Sequence, residues 1–121
     1  MSAGFFDTDI VIDWLRRYPQ AAEEIARYDT HRISRVTWSE VLAGEPSQAR
    51  ERIRRMIGHF DVVELDEEIA TIAADIRHAT RMKLLDALIL ATARVRGALL
   101  ITRNTKAFPP EMPGIRIPYT L

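Results

Sequence analysis

Hydrophobic positions along the chain follow two alternating rhythms. Short runs at Ala3–Phe6, 32–34, 60–65, 98–101 and 115–117 read as strands, each bounded by turn or capping residues. Between them apolar residues recur every three or four positions. Ile10, Val11, Trp14, Leu15 and Tyr18 predict a helix with Thr8 or Asp9 as its cap, and Pro19 opens another through Ala22, Ile25 and Ala26. A helix over 37–44 begins with Thr37-x-x-Glu40, which has the form of a capping box. Ser47 caps a further one carrying Ile53, Met56 and Ile57 as far as Gly58. Asp66, Glu67 and Glu68 put negative charge at the start of a helix with Ile69, Ile72, Ala73 and Ile76, as the macrodipole favours.

The stretch 84–104 organises the rest. Asp86 opens a helix of small and apolar residues, Arg94 and Arg96 suit its C-terminal end, and Gly97 stops it. The unbroken apolar run 98–101 marks a strand covered on both faces, with Thr102 and Asn104 where it ends. Strands alternating with helices imply right-handed crossovers and a mostly parallel sheet of four to five strands between helical layers. The proline-rich turn at 109–114 leaves 115–117 as a last strand at the sheet edge. The whole of 1–121 reads as a single domain.

Composition narrows the class without deciding the function. Hydrophobic residues make up 47% and charged residues 28%, with 17 basic and 17 acidic side chains, so net charge offers no signature of nucleic acid. The absence of cysteine excludes disulfides and thiolate sites and agrees with a reducing compartment. No basic segment leading a long apolar run reads as a signal peptide, and no run approaches the ~20 residues of a membrane span. These features predict a cytoplasmic protein.

The chemistry lies at one sheet edge. Asp7 and Asn104 follow strands, Asp86 opens a helix, and Glu40 stands within about two turns of a strand end. Each has a plain structural explanation as a cap, capping-box or turn residue. In a parallel sheet, however, all four reach the carboxyl edge, where ligands bind. Three carboxylates brought close raise one another's pKa unless a cation neutralises them. Oxygen ligands without cysteine or a suitably placed histidine suit a hard divalent ion, Mg²⁺ or Mn²⁺. That set points to metal-assisted hydrolysis of a phosphodiester.

Four segments in order, Phe6-Asp7-Thr8-Asp9-Ile10-Val11-Ile12-Asp13, Ser39-Glu40-Val41-Leu42-Ala43-Gly44, Leu85-Asp86-Ala87-Leu88-Ile89-Leu90-Ala91-Thr92-Ala93 and Ile101-Thr102-Arg103-Asn104-Thr105-Lys106-Ala107-Phe108, resemble the motifs of PIN-domain ribonucleases, and more narrowly the VapC toxins of toxin–antitoxin pairs. The resemblance spans nearly the whole chain. It implies a PIN-like three-layer α/β/α fold and a Mg²⁺- or Mn²⁺-dependent endoribonuclease cutting tRNA or ribosomal RNA. It also implies a homodimer held in a toxin–antitoxin hetero-oligomer and silenced by a VapB-type antitoxin. It assigns the metal-binding acids to Asp7, Glu40 and Asp86. Asn104 stands where many relatives carry an acid, and Ala107 where others carry a second, which limits a second metal site. Thr8, Asp9 and Thr102 are supporting polar groups.

Lys83, Arg103 and Lys106 flank the expected pocket and are candidates to hold RNA phosphates, whereas Arg50, Arg52, Arg54 and Arg55 read as a solvated helix face. Trp38 is the aromatic residue that best fits a partner-binding groove, and His31, His59 and His78 match no metal spacing. Two other classes compete with the nuclease. One is a catalytically weak module that binds RNA or antitoxin. The other is a phospho-acceptor domain, for which Lys106 follows Asn104 at the wrong distance.

Overall fold

The structure, a computed structural model, describes residues 2–121. Among these, five strands form one sheet, all parallel, in the order β3-β2-β1-β4-β5. The strands are β1 (Ala3–Phe6), β2 (Thr30–Ser34), β3 (Asp61–Val63), β4 (Leu100–Ile101) and β5 (Ile115–Arg116). Helices α1 (Thr8–Leu15), α2 (Pro19–Ala26), α3 (Arg35–Ala43), α4 (Ser47–Ile57), α5 (Glu67–Thr80) and α6 (Leu84–Val95) fill the crossovers. The strand order reverses around β1, so the crevice at its carboxyl end is the topological switch point of the sheet.

The period of two along the central strands divides the core. Phe5 and Leu100 enter a cluster with Ile69, Ala73 and Ile76 of α5 and Ala87, Leu90 and Ala91 of α6. Their neighbours Phe6 and Ile101 enter the opposite one, with Ile10 and Val11 of α1, Ile25 of α2 and Ile53 and Ile57 of α4. The result is the expected three-layer α/β/α sandwich, with β1 and β4 buried on both faces.

Several expected boundaries shift, and the reasons are local. Strand β2 runs directly into α3, whose cap is Ser34, its hydroxyl accepting from the Val36 N–H at 3.0 Å. Thr37 and Glu40 therefore form no capping box; Thr37 is fully buried inside the helix. Helix α1 is capped by Asp7 rather than Thr8 or Asp9, and α4 begins after Pro46 with no side-chain cap from Ser47. Helix α6 starts at Leu84, with Lys83 at its cap, which leaves Asp86 in the first turn. Strands β3 and β4 are shorter than their apolar runs, because hydrophobicity extends beyond the residues that pair. Asp66 caps α5 as its acidic start implies, accepting from the Ile69 N–H at 2.9 Å.

Two glycines are required for different reasons. Gly97 follows α6 at φ 64°, a left-handed position with nothing near its missing side chain. Gly4, in β1, is a close approach: a Cβ there would lie 2.5 Å from the buried Phe6 ring and 2.9 Å from the Tyr28 ring. Phe6 is itself packed edge-on by Tyr28, His31 and Phe60 and has no room to retreat. Gly97→Ala is expected to cost about 1 kcal/mol, from backbone strain. Gly4→Ala is expected to cost more, about 1–3 kcal/mol, through overpacking. Urea unfolding of both variants, with unchanged m-values, checks the ranking.

Candidate active site

The site is built outward from the end of β1. There the Asp7 N–H donates to the Ile101 carbonyl at 2.9 Å, tying the strand end to β4. As the α1 cap, Asp7 turns its carboxylate toward the helix: Oδ1 accepts from the Thr8 N–H at 2.8 Å, and Oδ2 accepts from the Thr102 hydroxyl at 2.7 Å. Glu40, carried by α3, accepts a 2.6 Å bond from the Thr8 hydroxyl, which also lies 3.0 Å from the Thr37 hydroxyl. Asn104 follows β4; its N–H donates to Thr102 Oγ1 at 3.0 Å, and its Oδ1 accepts from the Ala107 N–H at 3.2 Å. Asp7, Thr8, Asp9, Glu40, Asp86 and Asn104 all line one open cavity of about 520 Å³. The fold thus brings together the four sequence-predicted residues, with Thr8 and Thr102 bonded directly to two of the acids.

Four acids on one cavity have electrostatic consequences. Burial, the neighbouring Asp9 charge and, more weakly, Asp86 push Asp7 up from 3.8 to about 7, against the pull of the Thr102 and Thr8 hydrogen bonds. Burial and the Glu40 charge raise Asp86, while Lys83 draws it down. Asp9 is raised chiefly by burial, although its Oδ2 accepts the Arg103 N–H at 3.1 Å. Its other oxygen, Oδ1, is buried without a hydrogen-bond partner. Among the described residues no ion pair offsets Asp7, whose polar contacts are neutral donors.

Among the described residues no three Asp, Glu, His or Cys side chains are gathered into a ready-made metal cage. The acids line a shared hollow, as like charges would. The donor set still fits one kind of ion. It is all oxygen, contains an unpartnered buried carboxylate oxygen, and lies apart from the histidines. Mg²⁺ keeps several waters and takes only one or two carboxylates directly, so it suits a hollow more than a cage. Asp7, Glu40 and Asp86, with Asp9 beside them, are the residues able to hold it.

Arg103 differs from its expected role. Its guanidinium is locked in a two-pronged ion pair with Asp13, at 2.6 and 2.8 Å, and the Tyr119 hydroxyl donates to the same carboxylate at 2.8 Å. Asp13 is 1% exposed, and a buried carboxylate claims the nearest arginine because an unpaired buried charge is costly. Arg103 therefore braces the loop after β4, with its Nε and Nη2 committed to Asp13 at the wall of the cavity. Sequence reasoning missed Asp13; the available signal was an acid four residues after Asp9, on the same face of α1. It also missed Glu24, buried in α2 and bonded to Arg116 at 2.8 and 3.0 Å.

The other candidates fall where their surroundings dictate. Lys83 and Lys106 remain exposed beside the cavity, and Arg50, Arg52, Arg54 and Arg55 are exposed as a solvated face. Trp38 is half-buried, with the Arg35 and Arg54 guanidinium carbons 4.7 and 5.8 Å from its ring. His31 and His59 bond to each other at 2.7 Å in a cluster with Trp14 and Phe60, away from the acids.

Comparison with known proteins identifies the family and the fold. No curated protein sequence matches significantly. Among solved structures, a chain of a toxin–antitoxin complex from Klebsiella pneumoniae is 34% identical, covering 98% of this chain and 99% of that one, with a TM-score of 0.89. A chain of DNA-bound VapBC from Salmonella typhimurium is 26% identical over 97% of both, with a TM-score of 0.77. FitAcB from Neisseria gonorrhoeae, at 20% identity and a TM-score of 0.78 over 97% of this chain and 99% of that one, shares the fold. The PIN domain model matches residues 4–109, a span that contains all the acids of the cavity. The chain belongs to the PIN domain family.

Proposed function

We propose that the chain is a VapC-type toxin: an endoribonuclease that hydrolyses RNA phosphodiester bonds with Mg²⁺ or Mn²⁺ and is silenced by a VapB-type antitoxin. The observation that carries this reading is the convergence of Asp7, Glu40 and Asp86 on one cavity at the switch point of a PIN fold. The likeness to chains of toxin–antitoxin complexes supports the partner and the toxin role, and VapBC from Salmonella typhimurium supports the narrower class. A bound divalent cation would polarise the phosphodiester and lower the pKa of an attacking water. The chain supplies the rest. Thr102 and Thr8 hold the Asp7 carboxylate in one orientation, and the Thr8 hydroxyl holds Glu40 at the same cavity. The Asp13–Arg103–Tyr119 network braces the β4 loop that presents Asn104. RNA substrates of the tRNA or ribosomal class, a homodimer, a toxin–antitoxin hetero-oligomer and a cytoplasmic setting belong to the same proposal.

A second reading is a binding module with weak turnover. It is favoured by Asn104, which brings no charge and commits its carbonyl oxygen to the Ala107 N–H. Metal titration separates the two. Saturable binding by the cavity supports the nuclease, and no binding supports the module.

Purified, antitoxin-free chain is expected to cleave RNA in Mg²⁺ or Mn²⁺. Asp7→Asn and Asp86→Asn should each lower the rate by about 10²-fold or more, since a metal centre contributes several kcal/mol of charge stabilisation. Equal cleavage by all three proteins rules the mechanism out.

The raised Asp7 pKa gives a second expectation. Folding favours its protonated form, so this stabilisation is complete below about pH 4 and is lost as pH rises through about 7. The metal-free chain should therefore lose melting temperature between pH 5 and pH 8. Millimolar Mg²⁺ or Mn²⁺ should restore it more at pH 8 than at pH 5, and Asp7→Asn should flatten both responses. A metal-induced rise that is equal at both pH values would contradict the assignment.

A further inference from the structure

A second hollow, of about 580 Å³, adjoins the acidic cavity between the end of α5 and the loop after β4. Asp86, Asn104 and Lys106 stand in the walls of both. The two differ in chemistry. The second hollow has Met82, Pro109 and Met112 as its apolar surface and Arg81, Lys83 and Lys106 as cations, with Asp86 its one carboxylate. A negatively charged centre is thus flanked by a positively charged, apolar-floored recess.

The wall of that recess is fixed in advance. The Arg77 guanidinium donates to the carbonyls of Arg81 and Met82 at 3.3 and 2.9 Å. The Thr80 hydroxyl donates to the Ile76 carbonyl at 2.6 Å and accepts from the Met82 N–H at 3.2 Å. Arg81 itself sits at φ 64°, a left-handed conformation that local preference resists in a side chain of this kind. An exposed arginine is therefore held at the rim by its surroundings. Asn104 uses Oδ1 within the loop, and its Nδ2 makes no hydrogen bond among the described residues, leaving two donors on the partition between the hollows.

We propose that this recess is a nucleotide subsite, which takes the ribonucleotide next to the phosphodiester at the acidic cavity. The base lies against Met82, Pro109 and Met112, the phosphates meet Arg81, Lys83 and Lys106, and the Asn104 amide donates at the junction. The assignment rests on the nuclease reading above for its ligand class. A single RNA strand fits because its charge and apolar faces alternate along its length, as the two kinds of wall do here. The location makes the subsite a source of sequence preference around the cut.

The test measures binding to the intact chain carrying Asp7→Asn, so that hydrolysis plays no part. The probes are a fluorescent eight-nucleotide single-stranded RNA and the same sugar-phosphate oligomer without bases. The base-bearing probe is expected to bind about tenfold tighter, roughly the gain from burying one base face against apolar side chains. Adding Met112→Ala should close most of that gap. Adding Arg81→Gly, which suits the left-handed backbone, should leave the melting temperature unchanged or higher. It should weaken both probes about five- to tenfold and lower the salt slope by about one. Equal binding of the two probes, or undiminished affinity in Arg81→Gly, overturns the subsite. So does loss of self-association in Arg81→Gly with RNA affinity intact, which would assign the recess to a second copy. Discrimination in this assay alongside no cleavage by the unmutated chain would remove the nuclease reading and leave the subsite standing. Cleavage without discrimination would do the reverse.

Discussion

The burial of one carboxylate at the end of the central strand constrains everything around it. Asp7 is 4% exposed and, among the described residues, has no cation against it, its carboxylate accepting from the Thr8 N–H and the Thr102 hydroxyl. A buried carboxylate in that condition resists ionising, and Asp9 and Asp86 deepen the resistance. The surrounding structure keeps Asp7 in place nonetheless. Its backbone N–H ties β1 to β4, and its side chain caps α1, so the same residue closes the sheet and starts the first helix. Moving it would disturb both layers.

The buried acids divide into two kinds by the company they keep. Asp13 and Glu24 each meet an arginine two-pronged, Arg103 and Arg116, and each also accepts from a tyrosine hydroxyl. For Glu24, burial alone would raise the pKa, but the Arg116 and Tyr28 bonds outweigh it and hold the carboxyl below its ordinary range. These two pairs fasten distant segments and have no unbalanced charge left over. Among the described residues Asp7 and Glu40 meet hydroxyls and an amide, and Asp9 keeps one oxygen without a hydrogen-bond partner. Carboxylates held by neutral donors are thereby gathered on one hollow. That distinction, more than the number of acids, separates structural carboxylates from those able to take a cation.

Polarity also changes sharply across a short distance. Asn104 and Asp86 stand between an acidic hollow and a basic one, and Lys106 borders both. In a chain with equal numbers of acidic and basic residues, attraction for a polyanion has to arise from such local separation. Of the exposed arginines of α4, Arg52 stands nearest, in a neighbouring hollow that shares Ile12 and Glu40 with the acidic cavity.

Much of the architecture was legible in the amino-acid sequence, since the signals for it are local. Helical spacing, strand-length apolar runs, the stop at Gly97 and the acidic start at Asp66 each depend on a few neighbouring residues, and all led to a layered α/β domain. The placement of Asp7, Asn104 and Asp86 at strand or helix ends followed from the same reasoning, because parallel strands carry such ends to one edge. Tertiary structure decided the partners. Arg103 pairs with Asp13 across 90 positions, Thr102 with Asp7 across 95, and Thr8 with Glu40 across 32. Thr37 and Glu40 have the spacing of a capping box, yet Ser34 takes the cap because β2 leads straight into α3. A side chain's chemistry is written in the sequence, but which buried charge it must satisfy depends on what the fold brings within about 3 Å, and spacing along the chain holds no record of that.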